Sequence, residues 1–390
     1  MTHSFNFSKI PQIIFGNGTL NQVKNELLIF GENVLLVLGK GSFIHSRKGI
    51  DFLQNLKKEK CISSINHITQ EPTPNIIDRI VEENRSHKPD AVVAIGGGSV
   101  LDSGKAISAM LPVEGSVKDY LEGVGTKMHP GKKIPFIALP TTSGTGSEIT
   151  KNAVITQTGK NGFKKSLRHD NFVPDIAIID PELTLNCPFE ITTRSGMDAF
   201  TQLLESYLSS ISNPLTDSLA LKGLSLIKKS FIKSCFEENN IEARSDMAMA
   251  AMLSGITLAN SGLGLIHGFA SSVGGMYNIP HGVICGSLMA ITNDVMINKL
   301  REQKENRITL QKYIEVAKIF VEDKIDNEDK LLKEFVRYLY HITKLLNIPK
   351  LGGFGVNERS LNELISNTSH KYNPVRLDES EFKSILRSRF

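Results

Sequence analysis

The chain has 390 residues, 40% of them hydrophobic and 22% charged, which is typical of a globular protein with two domains or one large domain. This composition excludes a wholly disordered chain, a collagen-like repeat and a small disulfide-stapled scaffold. The chain contains 45 lysines and arginines and 41 aspartates and glutamates. The formal net charge of +4 gives no electrostatic reason to expect nucleic acid or a membrane surface as a partner.

The cysteines and the N-terminus indicate the compartment. The four cysteines are far apart and form no C-x-x-C motif; they are Cys61, Cys187, Cys235 and Cys285. We expect reduced thiols rather than a disulfide framework or a zinc knuckle. The N-terminal segment MTHSFNFSKIPQ has neither the basic nor the apolar part of a secretion signal. The most apolar stretch, residues 247–270, is interrupted by polar residues, so we expect a buried helix pair and a cytoplasmic protein.

The first half of the chain alternates strand and helix signals. Strands are predicted at residues 34–38, 63–68, 91–95, 134–139 and 177–180. Helices are predicted at residues 46–60, after Pro74 and at residues 99–110. The runs at 34–38 and 91–95 are continuously apolar, as in strands that are buried on both faces. This alternation predicts an α/β domain with a doubly wound, mostly parallel sheet.

The pattern changes after the turn at Asp180 and Pro181. From residue 188 onward, apolar residues recur at helical spacing, as in Met197, Phe200 and Leu204, and period-2 alternation is almost absent. We therefore expect an α/β domain over residues 1–181 and an all-α domain over residues 182–390.

The glycines at 96–98 lie directly between a predicted strand and a predicted helix. A glycine backbone can approach a pyrophosphate closely, and a helix N-terminus offers free N–H groups and a favourable dipole. A tight strand-to-helix turn also requires glycine for purely structural reasons. The position between strand and helix favours phosphate binding.

A second loop, P-T-T-S-G-T-G-S-E at residues 140–148, also follows a predicted strand. It is rich in hydroxyl groups and could simply be a polar surface loop. Because the carboxyl ends of parallel strands meet at one edge of a sheet, we expect it to lie beside the glycine turn and to share one site with it.

The helical half contains a candidate metal-binding set. Asp198 and Gln202 are spaced i and i+4 on one predicted helix face. His267 and His281 lie in an otherwise apolar, glycine-rich region. Each residue alone would more often be a satisfied core residue. Together, Asp198, His267 and His281 form a carboxylate and two-imidazole set that suits a divalent metal.

These motifs together resemble the iron-containing (group III) alcohol dehydrogenase family. The resemblance is carried by G-G-G-S-x-x-D at 96–102, the 141–148 loop, G-M-D-A-F at 196–200, the interval between His267 and His281, and N-I-P-H-G at 278–282. It covers nearly the whole chain. It implies the dehydroquinate synthase-like architecture, with an N-terminal nucleotide-binding domain, a helical metal and substrate domain, and a divalent metal in the cleft. The implied cofactors are NAD or NADP with Fe²⁺, or alternatively Zn²⁺ or Mn²⁺, and we expect a homodimer or higher homo-oligomer.

Roles follow from the resemblance residue by residue. The cofactor-binding positions are Gly39, Gly97, Gly98, Ser99, Asp102, Thr141, Thr142, Ser147, Asn152 and Lys164. Of these, the glycines at 97–98 with Ser99 would bind the pyrophosphate, and Asp102 would organise the loop. The metal positions are Asp198, Gln202, His267 and His281. The catalytic positions are Asp198, His267, His281 and Ser271.

Three positions depart from the family pattern. Gln202 stands where the family usually has a histidine ligand; an amide oxygen is a weaker donor than imidazole, which leaves open weak metal binding, a preference for another ion, or no ion. Ser271 replaces a histidine assigned to proton relay, and a serine is not a base near neutral pH without help. Gly39, followed by Lys40, stands where many relatives have an acidic residue that repels a 2′-phosphate, so NADP(H) is compatible.

The resemblance implies hydride transfer between nicotinamide and the carbon of a small alcohol, assisted by a divalent metal. Two alternatives stay open. An enzyme that reduces a phosphorylated or carboxylated carbonyl, or catalyses a non-redox reaction with NAD and metal, would use basic residues such as Lys164, Lys165, Arg168 and His169. A non-catalytic nucleotide-binding protein is favoured by the departures from the family pattern and opposed by the intact loops.

Overall fold

The structure is a computed structural model that describes residues 4–58, 62–159, 162–303 and 306–390. Within these ranges the β-strands are β1 (Gln12–Phe15), β2 (Val34–Gly39), β3 (Ile62–Ile68), β4 (Ala91–Gly96), β5 (Phe136–Pro140), β6 (Asn152–Gln157), β7 (Phe163–Arg168) and β8 (Ile176–Ile179). The α-helices of the first half are α1 (Val23–Leu27), α2 (Ser42–His45), α3 (Arg47–Lys58), α4 (Pro74–Arg85) and α5 (Gly98–Met110). Those of the second half are α6 (Phe189–Leu208), α7 (Pro214–Phe236), α8 (Ile241–Ser261), α9 (Leu265–Met276), α10 (His281–Glu302), α11 (Arg307–Phe320), α12 (Glu328–Leu345), α13 (Leu361–Ser366) and α14 (Glu379–Arg387).

Six strands form one parallel sheet in the order β1-β8-β5-β4-β2-β3. Alternate residues of the apolar strands pack into different cores. In β2, Leu35 and Val37 join the core that contains residues of α4 and α5, whereas Leu36 and Leu38 join the core on the opposite face. Helices therefore cover both faces, and the prediction of a doubly wound parallel sheet is confirmed.

The sequence analysis missed the antiparallel hairpin of β6 and β7, which lies between β5 and β8 along the chain. Its buried apolar residues are few: Ala153, Ile155 and Leu167. So short an alternation is a weak strand signal. The hairpin carries Asn152 and Lys164, two of the expected cofactor-binding residues. The end of the predicted helix at 46–60 and Cys61 lie outside the described residues.

The second half is helical throughout its described residues, as predicted. Helix α6 is its central element: most of its side chains from Thr192 to Leu208 are buried, and Phe200, Leu203 and Tyr207 belong to the largest core. The last strand ends at Ile179 and α6 begins at Phe189, on either side of the expected domain boundary.

The apolar stretch at 247–270 lies in two helices, α8 and α9. Helices α8 and α9 meet at an angle of 97°, and no single helix in the described part of the chain is long and apolar enough to cross a membrane. Both helices contribute many residues to the core of the helical half. Cys187, Cys235 and Cys285 are buried free thiols, as expected.

Candidate active site

The glycine turn and the hydroxyl-rich loop meet at the carboxyl edge of the sheet. Gly96 is the register partner of Pro140, and the Thr141 backbone N–H donates to the Gly96 carbonyl at 3.0 Å. A Cβ added at Gly98 would lie 2.6 Å from the Thr145 methyl carbon, and one at Gly97 would lie 3.3 Å from the Thr142 hydroxyl oxygen. The two loops are therefore packed against each other, as the strand order predicted.

Helix α5 begins at this turn with its N-terminal backbone groups available. No side chain of the described residues caps it, and Gly97, Gly98 and Ser99 are half-buried. Four N–H groups at a helix start have no partner within the helix and are positioned to bind an anion. The turn therefore fits the pyrophosphate role assigned to residues 97–99. Thr141 and Thr142 beside it are also half-buried.

Asp102 and Ser147 lie behind the loops rather than in the open cleft. The Ser147 hydroxyl donates to Asp102 Oδ1, and the Val154 N–H donates to Asp102 Oδ2 at 3.0 Å. Ser147 is only 3% exposed. These contacts tie Asp102 and Ser147 to each other and to β6, and the cofactor-binding roles expected for the two residues stay predictions.

Lys105 is a buried residue that the sequence analysis passed over. Its Nζ donates to the Ser147 carbonyl at 2.8 Å, the Thr150 hydroxyl at 3.2 Å and the Asn152 carbonyl at 2.9 Å. Burial lowers the pKa of Lys105 to about 8, although Asp102 opposes the shift. Lys105 thus ties α5 to the second loop and to β6. Its position three residues after Asp102, the last residue of the glycine motif, was the available signal.

Lys164 forms an ion pair that was also not foreseen. Its Nζ donates to the two carboxylate oxygens of Glu71 at 2.9 Å and 2.8 Å. Burial opposes ionisation of Glu71, but the charge and hydrogen bond of Lys164 hold the pKa of this carboxyl below its usual value. The expected nucleotide contacts of Lys164 and of Asn152, at the start of β6, stay predictions.

Gly39 lies at the same edge of the sheet, at the end of β2. A Cβ at this position would meet the Val100 side chain at 3.4 Å, an ordinary van der Waals contact. The neighbouring Lys40 is exposed. The position has room for a Cβ, so glycine is not a steric requirement here.

Three helices bring together the expected metal-binding residues and one unexpected residue. The ligand atoms of Asp198, His267, His281 and Cys285 all lie within 4.8 Å of one another. Asp198 Oδ1 is 3.3 Å from His267 Nε2 and 3.6 Å from His281 Nε2. Cys285 Sγ is 3.7 Å from each imidazole nitrogen and 3.8 Å from Asp198 Oδ1. We call these four residues the donor cluster.

The donor cluster has the dimensions of a four-coordinate metal site. For zinc-like bond lengths, the edges of a tetrahedron are about 3.3–3.4 Å between nitrogen or oxygen ligands and about 3.5–3.6 Å where one ligand is sulfur. The five distances that involve Asp198 Oδ1 or Cys285 Sγ match these edges to within a few tenths of an ångström, and the two imidazole nitrogens lie within 4.8 Å of each other. The residues present therefore fit a divalent metal.

Glu205 orients one imidazole of the cluster. His267 Nδ1 lies 2.6 Å from Glu205 Oε2, and because a carboxylate only accepts, Nδ1 carries the proton and Nε2 faces the cluster. The other carboxylate oxygen accepts from the Ile266 N–H at the start of α9. Such carboxylate partners are characteristic of metal-binding histidines. Glu205 follows Asp198 by seven residues on the same helix face, a signal that sequence reasoning did not use.

Gln202 and Ser271 have local hydrogen-bond partners. Gln202 Nε2 donates to Asp198 Oδ1 at 3.2 Å, and its carbonyl oxygen accepts from the Ser254 hydroxyl at 2.9 Å. Gln202 thus faces Asp198 with its amide nitrogen, and its expected role as a metal ligand stays a prediction. The Ser271 hydroxyl donates to the His267 carbonyl at 2.9 Å within α9, so its proton is held by the backbone.

The electrostatics differ among the three expected ligands: they favour an ionised Asp198, a neutral His281 and a protonated His267. Burial raises the pKa of Asp198, but His281 and His267 outweigh it and hold the pKa below its usual value. Burial, together with Lys164 and His267, lowers the pKa of His281 to about 4. Burial also opposes protonation of His267, but Cys285, Glu205 and Asp198 raise its pKa above the usual value.

Comparison with known proteins gives a consistent result over the whole chain. The profile of iron-containing alcohol dehydrogenases matches residues 11–181, and that of the C-terminal domain of the Fe-containing alcohol dehydrogenase family matches residues 192–390. The NADPH-dependent butanol dehydrogenase of Clostridium saccharobutylicum is 30% identical, over 97% of this chain and 96% of that protein. The NAD-dependent methanol dehydrogenase of Bacillus methanolicus is 34% identical over 73% of each chain.

Solved structures of alcohol dehydrogenases have the same fold as this chain. A point mutant of an archaeal halo-thermophilic Red Sea brine pool alcohol dehydrogenase superposes with a TM-score of 0.87 at 26% identity, covering 100% of this chain and 99% of that one. A 1,3-propanediol oxidoreductase gives a TM-score of 0.86 at 26% identity, covering 100% of both chains. The chain belongs to the iron-containing alcohol dehydrogenase family and shares its NAD(P)-dependent oxidoreduction of alcohols.

Proposed function

We propose that the protein interconverts a small uncharged alcohol and its aldehyde or ketone by hydride transfer at a cleft between the glycine turn and the donor cluster. One observation carries this assignment: the Ser254 hydroxyl lies 2.9 Å from the Gln202 carbonyl oxygen and 3.4 Å from the Gly144 carbonyl. Because Gln202 also contacts Asp198, Ser254 and Gln202 are the two side chains that separate the hydroxyl-rich loop from the donor cluster. A nucleotide held at the loops would thus lie close to a metal held in the cluster.

The residues of the chain position the reactants. A divalent ion, when bound, supplies Lewis-acid polarisation of the substrate oxygen. The nicotinamide supplies the hydride acceptor or donor. Asp198, His267 and His281 would hold the ion, and Glu205 fixes the ring of His267. The free N–H groups at the start of α5 would hold the pyrophosphate of the nucleotide.

The basic residues that would support an anionic substrate are mostly engaged. Lys164 is paired with Glu71, and Arg168 lies 3.5 Å from Glu122. His169 packs against the Phe172 ring. This pairing supports an uncharged substrate over a phosphorylated or carboxylated one. The intact donor cluster also argues against a non-catalytic nucleotide-binding protein.

The test is NADH and NADPH oxidation with a panel of aldehydes, using protein loaded separately with Fe²⁺, Zn²⁺ or Mn²⁺. We expect turnover of uncharged aldehydes that requires metal and is lost in His267→Ala. A preference for carboxylated or phosphorylated aldehydes would replace the proposed substrate class. Nucleotide binding without turnover of any aldehyde or alcohol would support the non-catalytic alternative.

We also infer a cytoplasmic location and a homodimer or higher homo-oligomer. The buried free thiols support a reducing compartment. Light scattering on the purified protein measures the oligomeric state; a monomer at micromolar concentration would contradict the second inference.

A further inference from the structure

We infer that Cys285 is a fourth metal ligand in this chain, in place of the imidazole that is missing at Gln202. The inference rests on the metal site of the proposed function and concerns which atoms hold the ion. Cys285 is fully buried, and its Sγ lies at similar distances, 3.7–3.8 Å, from one atom of each of the other three donors. The sulfur therefore occupies the fourth corner of the donor cluster.

The helical spacing explains how the sulfur reaches this position. His281 and Cys285 are separated by one turn of α10, so their side chains lie on the same helix face, and both approach Asp198 on α6. A buried free cysteine is often just a small apolar residue. Cys235 fits that description: it is buried in the core of the helical half and is not a member of the donor cluster.

Gln202 is a poorer candidate for the fourth position. Its carbonyl oxygen accepts from Ser254, and its amide nitrogen faces Asp198. Exchanging the amide oxygen and nitrogen would set two acceptors, the amide oxygen and Asp198 Oδ1, against each other. Gln202 therefore supports Asp198, and Cys285 supplies the donor.

A thiolate ligand changes the charge and the preference of the site. On binding, the Cys285 thiol releases its proton to solvent and the sulfur bonds to the ion, with no change of oxidation state. The thiolate and Asp198 together carry two negative charges, which neutralise a divalent ion. Sulfur is also a softer ligand than the nitrogen and oxygen atoms beside it. This set favours Zn²⁺ over Fe²⁺ and Mn²⁺.

Titration of Co²⁺ into the metal-free protein tests the assignment without measuring activity. Cobalt bound to a thiolate gives an intense ultraviolet charge-transfer band in addition to its weak visible bands. We expect the charge-transfer band in the wild type and in the control Cys235→Ser, and its loss in Cys285→Ser. Cys285→Ser should also weaken Co²⁺ and Zn²⁺ binding by more than about tenfold, since loss of even an outer partner of a ligand costs about 10–100-fold.

The outcomes separate this inference from the proposed function. Visible cobalt bands at full stoichiometry without the charge-transfer band in the wild type would show that Cys285 is not a ligand, and the metal site itself would stand. Failure of the wild type to bind Co²⁺ at all would overturn both. If Cys285→Ser does not fold, the wild-type spectrum decides the question, and Cys285→Ala provides the second variant.

Discussion

Glu205 shows how a single buried carboxylate prepares a metal ligand. It holds the Nδ1 proton of His267 and the first turn of α9 at once. Glu205→Gln keeps an acceptor for the Ile266 N–H but removes the negative charge beside the imidazole. We expect Zn²⁺ affinity, measured by competition with a chromophoric chelator, to fall by about 10–100-fold. The control is Glu190→Gln, an exposed position in the first turn of α6. Equal Zn²⁺ affinities in Glu205→Gln and Glu190→Gln would contradict the role of Glu205 in preparing His267 as a ligand.

Gly39 sets the expected choice of nucleotide. The wild type has no acidic side chain here to repel a 2′-phosphate, so NADPH should bind within about tenfold of NADH, which is about 1.4 kcal/mol. Gly39→Asp should shift the preference towards NADH, because a Cβ fits here and a carboxylate repels the phosphate. Calorimetric titration with both nucleotides measures the shift. If the wild type bound NADPH a thousandfold more weakly than NADH, Gly39 would not be what sets the choice of nucleotide.

At the scale of elements, the turn from β4 to α5 depends on the absence of a side chain. In Gly98→Val, the new side chain would collide with Thr145 and cover the N–H groups at the start of α5. We expect NAD(P)H affinity to fall by more than about tenfold, equivalent to about 1.4 kcal/mol, while the sheet remains folded. The control is Gly353→Val, where an added Cβ meets nothing within 4 Å. Unchanged affinity in a folded Gly98→Val protein would rule out the phosphate-binding role.

The buried junction of α5 with the second loop predicts a pH-dependent stability. Burial raises the pKa of Glu148 from 4.5 to about 7, although Lys105 opposes the shift. Between these values the folded state holds a proton that the unfolded state has released, so the free energy of unfolding falls as pH rises, by up to about 3 kcal/mol.

Glu148→Gln is neutral at every pH and should remove this dependence. Its melting temperature relative to the wild type should be higher at about pH 8 than at about pH 5, where the wild-type carboxyl is protonated in the folded state. Glu238→Gln, at an exposed position, provides the control. The same difference between variant and wild type at both pH values would mean that Glu148 is ionised in the folded protein.

At the scale of the whole molecule, the metal would link helices α6, α9 and α10. An ion that binds only the folded state stabilises it by about 2.7 kcal/mol when its concentration is 100 times Kd. We expect added Zn²⁺ to raise the melting temperature of the metal-free protein, and a chelator to reverse the increase. His267→Ala should abolish the metal-dependent shift. If a chelator left the melting temperature of the metal-loaded protein unchanged, the metal would not link these three helices.

The residue pattern was enough to predict the architecture and to select part of the candidate site. Continuous apolar runs such as 34–38 indicate strands that are buried on both faces, and their alternation with helices predicts a parallel sheet covered by helices. The proximity of the glycine turn and the hydroxyl-rich loop follows from that arrangement, because the carboxyl ends of parallel strands lie at one edge of the sheet. Asp198, His267 and His281 were found from residue type, spacing and family resemblance.

The folded arrangement places four further residues beside the expected site residues: Cys285, Glu205, Glu71 and Lys105. Cys285 and Asp198 are 87 residues apart along the chain, and their contact depends on how α10 packs against α6. A buried cysteine or glutamate in a helix has the same local pattern whether it faces a metal or the core. The packing of helices decides that difference, because it alone sets which side chains from distant segments share one small volume.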